Sequence, residues 1–174
     1  MSIRANRADE LDAILSLHRA AFPAEESASI VMLVEAMLGK PETPPVLSLV
    51  AEANGQLAGH VVFSPISLDS ADDGYILAPL AVSPALQRSG LGTQLVNAGL
   101  AQLKAAGVSL VLVYGDPAYY GRFGFTAEAA EPYRAPYPLQ YPFGWQALLL
   151  SATTPPAAPV VIRCVDALNN PALW

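Results

Sequence analysis

The chain has 174 residues, 53% hydrophobic and 14% charged, with a net charge of −6. That composition supplies the core of a single domain spanning 1–174 and excludes a disordered chain. The acidic balance disfavours nucleic acid as a partner.

Residues 2–6 are expected as a short strand. Asp9 offers a helix N-cap, and Leu11, Ile14, Leu15, His18 and Phe22 recur at helical spacing. A second helix carries Ile30, Leu33, Val34, Met37 and Leu38 on one face and stops at Gly39 and Pro41. Two strand-like runs, Val46–Ala53 and Gln56–Phe63, flank Asn54-Gly55, a strong hairpin signal. After the polar turn Asp69–Gly74, a third run from Tyr75 to Val82 completes an antiparallel meander.

The period then changes. Leu95, Val96, Gly99, Leu100 and Leu103 form a helical face between Gly90 and Ala106, with Gly107 as C-cap. Val108–Val113 reads as a buried strand, so 75–113 is strand, helix, strand: a right-handed crossover with a parallel pair. Two late strands are expected near 145–151 and 159–166, joined by the proline-rich stretch 153–159. The pattern specifies an α/β (α+β) chain, a mixed sheet with helices on its faces. Cys164, the lone cysteine, has no internal disulfide partner and is expected as a small buried hydrophobe in a reducing, cytoplasmic protein. The N-terminus has no apolar core of signal-peptide length, and no run approaches the ~20 apolar residues of a membrane span. The apolar excess leaves room for a homodimer surface.

The segment from Leu80 to Thr93 concentrates the chemistry. Between a strand and a helix, Gly90 and Gly92 let the backbone turn tightly and approach a ligand. The first N–H groups of the helix have no internal partners, and with the helix dipole they suit a phosphate. Arg88 adds a cation and Gln87 a polar side chain. The Rossmann spacing fails because Leu95 stands at the third glycine, and no Gly-Lys-Ser/Thr supplies a P-loop. What remains is Gln-x-x-Gly-x-Gly over 87–92. Within the preceding strand, Pro79 has no N–H to give a ladder and signals a bulge or splay. Unpaired backbone there would suit an extended ligand with amides, such as pantetheine.

With these features the sequence resembles the GNAT superfamily of acetyltransferases, whose acetyl-CoA pyrophosphate loop carries this pattern after a strand. The likeness extends to Tyr-x-x-x-Gly-Phe at Tyr120–Phe125. It is sharpest to a subgroup of bacterial N-acetyltransferases sharing the Ala-Pro-Leu-Ala-Val strand and the Asp-Pro-x-Tyr-Tyr-x-Arg-Phe-Gly-Phe end. The resemblance covers roughly 1–130 and implies a mostly antiparallel sheet of six to seven strands with a central parallel pair. It implies acetyl-CoA as acyl-donor cosubstrate, no metal, and an amine acceptor. The implied cofactor residues are Leu80, Ala81, Val82, Gln87, Arg88, Ser89, Gly90, Leu91, Gly92 and Thr93, with Tyr119 as a wall. Backbone N–H groups near Leu80 and Val82 are placed to stabilise an oxyanion. Tyr120 is the expected acid: a phenol near pKa 10 can protonate a thiolate near 8.5. Where many family members carry an Asn, this chain has Val113. For the general base the sequence offers Glu25, Glu26, Asp69 and His60, with His60 and His18 read first as packing. The aromatic, proline-rich stretch Glu131–Trp145 is either an acceptor-pocket wall or a rigid surface connection. Two readings follow, a catalytic N-acetyltransferase and a non-catalytic acyl-CoA sensor or scaffold, and retention of Tyr120 favours the enzyme.

Overall fold

The computed structural model describes residues 1–69 and 74–174. The expected polar turn over 69–74 falls mostly on 70–73, outside the described residues. The chain forms two compact units, one of residues 1–63 and 79–101, the other of 64–78 and 102–174.

In the first unit, β1 (Ser2–Ala5) pairs antiparallel with β2 (Leu47–Ala53), and β2 with β3 (Gln56–Ile66). Asn54 and Gly55 both take positive φ, 53° and 76°, the signature of the tight turn whose twist matches a hairpin. Helices α1 (Leu11–Ala21) and α2 (Ala24–Gly39) follow β1. They pack through Ile14 and Val34 onto Val50, with Leu15, Ile30, Leu38 and Leu57 around them. Asp9 is not the cap of α1. It lies inside a 3-10 turn, Ala8–Glu10, because Glu10 reaches back to accept the Arg7 backbone N–H at 2.7 Å and the Arg4 guanidinium at 2.6 Å. Those contacts, Arg4 first, draw the Glu10 carboxyl down to about 2. Arg4 also donates to Glu52 at 2.9 Å, tying β1 to β2.

The two histidines share one buried network. His18 Nε2 lies 2.7 Å from His60 Nδ1, and His60 Nε2 lies 2.8 Å from the buried Ser48 Oγ, with both histidines out of contact with water. His18 also stacks on Phe22, ring centroids 6.0 Å apart. Burial lowers His18 to about 4; burial and then the His18 neighbour lower His60 to about 3. Both are neutral in the native state at pH 7. An unfolded histidine titrates near 6.5, so below that pH the unfolded chain takes up protons that the native chain refuses. Stability from this pair is complete above pH 6.5 and is lost as pH falls toward 4. Stability should therefore drop between pH 7 and 5, before the carboxylates titrate, by at most about 1.4 kcal/mol per histidine per pH unit, and the melting temperature should fall with it. A melting temperature flat over that interval would show that the pair is not neutral in the fold.

Strand β4 (Gly74–Val82) ends in this unit, where Ser83 N–H donates to Ala58 O at 2.8 Å. Helix α3 (Leu91–Ala105) begins here, its buried Leu91, Leu95 and Val96 facing the sheet. Gly99 lies flat on the ring of Phe63, where any Cβ would collide.

In the second unit, the first half of β4 pairs in parallel with β5 (Leu110–Tyr114), and β5 pairs antiparallel with β7 (Trp145–Leu149). Pair by pair the six-stranded sheet runs β1-β2-β3-β4-β5-β7, mostly antiparallel with one parallel pair, as expected. Gly107, at φ 84°, ends α3: its N–H donates to Lys104 O and that of Val108 to Leu103 O. Two short helices follow β5, α4 (Pro117–Tyr120) and α5 (Ala127–Ala130).

The last expected strand is a correction. Over 159–166 only β8 (Val160–Val161) forms, in parallel with the two-residue β6 (Tyr133–Arg134). The partner β6 is only two residues long, and Arg163 N–H turns instead to Ser67 O at 3.0 Å. Beyond β8 a single bridge, Ser67 to Arg163, continues the pairing. Cys164 is half-buried and outside any strand, and burial pushes its thiol up to about 12. It is thus a protonated, inert thiol rather than a core side chain.

Candidate active site

The parallel β4–β5 ladder runs from Gly74↔Leu110 to Leu77↔Val113. Among the described residues, Ala78 to Val82 have no parallel partner. The break comes two residues before Pro79, whose missing N–H weakens the strand where the ladder stops. Pro79 and Ala81 are buried, whereas Leu80 and Val82 are only half-buried. Backbone beyond Leu77 is thereby free of β5 while remaining extended.

The turn after β4 is built for close approach. A 3-10 turn, Pro84–Leu86, leads into Gln87, whose Nε2 donates to Val82 O at 3.3 Å. Ser89 Oγ donates to Leu86 O. Arg88 takes a positive φ of 62°, a conformation that costs a non-glycine residue roughly 1–2 kcal/mol. Such strain is characteristic of ligand clamps. Gly90, at φ 86°, takes the same region at no steric cost, and its carbonyl accepts the first helical bond from Gln94 at 3.1 Å. The N–H groups of Leu91 and Gly92 therefore fall in the first turn of α3, where no intrahelical acceptor exists for them. Gly92 is buried, while 87–90 are exposed. The structure thus brings Gln87, Arg88, Ser89, Gly90, Leu91, Gly92 and Thr93 together at one helix start.

Tyr119 and Tyr120 lie in the second unit. Asp116 caps α4 by accepting from Ala118 N–H at 2.9 Å, and Pro117 sits at the first helical position. That cap aims the Tyr120 ring at the Cα of Gly115, where an added Cβ would come within 2.5 Å of it. Tyr120 also meets Tyr119 edge-on at 5.0 Å and Phe125 at 6.0 Å. Burial, and then Tyr119, push the Tyr120 phenol well above the ordinary tyrosine range. Tyr119 carries Arg122 over its face at 4.4 Å, and Arg122 Nε donates to its carbonyl at 2.9 Å.

Val113, in place of the familiar Asn, is 1% exposed and paired with Leu77 and Gln146, so it offers no polar contact to a ligand. His60 is sealed in the core and is not a base. Asp69 is exposed and paired with Arg163 at 2.9 Å. Glu25 and Glu26 are exposed in the first turn of α2.

Sequence reasoning missed Tyr114 and Gln146, whereas Tyr141 and Phe143 fall in the aromatic stretch 131–145 read as either a pocket wall or a surface connection. Gln146 is 2% exposed, and its Nε2 donates to Gly115 O at 3.2 Å and Gly144 O at 3.3 Å. A lone amide inside the apolar run Trp145–Leu149 was the available signal, since a buried polar group must find partners. Among the described residues no cluster of His, Cys, Asp and Glu is placed to hold a metal, and no helix is long and apolar enough to cross a membrane.

A six-stranded sheet with a parallel pair that ends early, followed by a glycine turn at a helix start, defines an acyltransferase fold. The sequence profile of the Acetyltransferase (GNAT) family matches residues 11–125. The chain belongs to this family and is an N-acetyltransferase. It is 35% identical over 147 residues to the uncharacterized N-acetyltransferase YjhQ of Escherichia coli K12, covering 81% of each chain. A crystal structure of E. coli YhbS in complex with CoA superposes with a TM-score of 0.83 at 30% identity, covering 97% of this chain and 92% of that one. A GNAT acetyltransferase from Brucella melitensis in complex with acetyl-CoA gives 0.76 at 33% identity, with 97% of each chain covered.

Proposed function

We propose that the protein transfers an acetyl group from acetyl-CoA to a primary amine of a small molecule or peptide, by direct attack through a tetrahedral intermediate. The observation carrying this reading is the release of β4 from β5 after Leu77, immediately ahead of the strained turn at Arg88 and Gly90. The family match runs through both compact units, which supports reading 1–174 as one catalytic domain. Relatives holding CoA and acetyl-CoA support the donor.

In this reading the N–H groups of the first α3 turn, with Gln87, Arg88 and Ser89, hold the pyrophosphate. The backbone of Leu80, Ala81 and Val82 pairs with the pantetheine amides, and an N–H there faces the developing oxyanion. Tyr119 walls the cofactor. The neutral amine nitrogen attacks the thioester carbon, and the C–S bond breaks as the intermediate collapses. Tyr120 O–H donates to the departing sulfur, and the proton lost from the amine passes to water. A carboxylate base is not required if the amine arrives neutral.

A non-catalytic acyl-CoA sensor is the second reading, favoured by the apolar Val113. The two separate on thiol release from acetyl-CoA across a panel of primary amines. An enzyme releases thiol in proportion to amine, and a sensor binds acetyl-CoA and releases none.

A further inference from the structure

A cavity lies at the end of β5, walled by exposed aromatic side chains. We propose that the cavity there is the acceptor pocket and that it selects amines bearing an aromatic ring and no carboxylate. The proposal rests on the transferase reading and gives it a substrate class.

The cavity measures about 370 Å³ and is lined by Tyr114, Gly115, Asp116, Tyr141, Phe143 and Gly144. That volume lies within the ~300–1,000 Å³ of small-molecule sites. Its wall is fixed by hydrogen bonds. Tyr141 N–H donates to Tyr114 Oη at 2.7 Å, Gly144 N–H to Tyr141 O at 2.9 Å, and Gly115 N–H to Gly144 O at 3.0 Å. Gln146 clamps the Gly115 and Gly144 carbonyls from within the core. Trp174 stacks behind Tyr114 with centroids 6.2 Å apart and planes 14° from parallel. Gly144 has no room for a side chain, since a Cβ would sit 2.9 Å from Gly115 O.

Two large aromatics stand on this rigid frame and face water. Tyr141 is 52% exposed and Phe143 68%, their rings 5.9 Å apart and tilted by 54°. A preformed wall of aromatic faces is uncovered apolar surface until a flat apolar group fills it, and rings meet such faces with a preference beyond their area. The pocket adjoins Tyr120, the proton donor of the transferase reading, because Gly115 also supports the Tyr120 ring. Among the described residues of the lining, Asp116 is the only charged one. One of its oxygens holds α4, and its negative charge opposes a carboxylate at the mouth.

The test uses 2-phenylethylamine, propylamine and phenylalanine as acceptors with acetyl-CoA. The expected kcat/KM for 2-phenylethylamine exceeds that for propylamine by about tenfold or more, the scale of one buried ring, and exceeds that for phenylalanine as well. In Phe143→Ala the 2-phenylethylamine to propylamine ratio falls toward one, whereas Phe143→Tyr keeps it. The ratio is blind to the fraction of folded enzyme, so a destabilised variant still reports. Equal kcat/KM for 2-phenylethylamine and propylamine in wild type, or a ratio unmoved by Phe143→Ala, overturns the aromatic pocket while leaving the transferase reading intact. If no amine is acetylated, saturation-transfer NMR with 2-phenylethylamine decides. Ring signals seen with wild type and lost with Phe143→Ala keep the pocket while the transferase reading fails. No ring signal with wild type overturns the pocket.

Discussion

Gly92→Glu should abolish stabilisation by acetyl-CoA without unfolding the protein. Gly92 is buried in the first turn of α3, where the N–H groups have no intrahelical acceptor. A ligand at one hundred times its Kd stabilises the native state by about 2.7 kcal/mol. For a chain of this size that is a rise in melting temperature of roughly 5–10 °C. A glutamate at this position brings a side chain and a negative charge to the proposed phosphate site. Its charge suits the helix dipole, so electrostatics alone do not weaken the fold. Desulfo-CoA, which keeps the pyrophosphate and pantetheine, should shift the wild type about as much as acetyl-CoA and the variant not at all. A folded Gly92→Glu protein that acetyl-CoA stabilises as well as wild type would remove the loop assignment.

Tyr120→Phe should lower turnover by about 10²-fold while leaving acetyl-CoA affinity near wild type. The ring contacts with Tyr119, Phe125 and Gly115 survive the change; only the hydroxyl goes. The raised phenol pKa sharpens the expectation. A phenol holding its proton that firmly is a weak acid toward a thiolate near 8.5, so its contribution is chiefly an O–H hydrogen bond to the leaving sulfur. The phenol is the active, protonated form at every pH below its raised value. The wild-type advantage should therefore stay constant through pH 9.5 and decline only above the ordinary tyrosine value of about 10. The same shift has a stability counterpart: the contribution is complete below pH 10 and is lost as pH rises through the folded value. Unchanged turnover in Tyr120→Phe would return this residue to packing.

Much of the scaffold was legible because single local rules decided it. Asn54-Gly55 admits few turns, and the structure has both residues at positive φ. The change of period at Gly90 placed α3 and the parallel pair, and Gly107 closed the helix by the expected cap. The helix start at 90–93 was legible for the same reason, since glycines at that spacing have few structural uses. Failures came where a distant contact outweighed a local preference. Asp9 is a better cap by type than Arg7, but Glu10 satisfies Arg4 and Arg7 together and moves the helix start. The stretch 159–166 has strand composition, yet its partner β6 offers only two residues to pair. The stretch 131–145 marked one side of the cavity wall, but its closure was illegible because Tyr114 and Tyr141 are 27 positions apart and meet through one hydroxyl. Nothing local to either residue announces that bond. His18 and His60 likewise read as separate packing residues, and only the fold joins them to Ser48.

The most direct test of the central claim is the mass of the amine after incubation with acetyl-CoA and wild-type protein. Thiol release is followed in the same reaction with 2-phenylethylamine, propylamine and a peptide amine. The account predicts an acetylated amine formed in equal amount to the CoA released, at a rate that rises with amine concentration and collapses in Gly92→Glu. Protein that is stabilised by acetyl-CoA yet leaves every amine unmodified would contradict it and establish a binder that does not transfer the acetyl group.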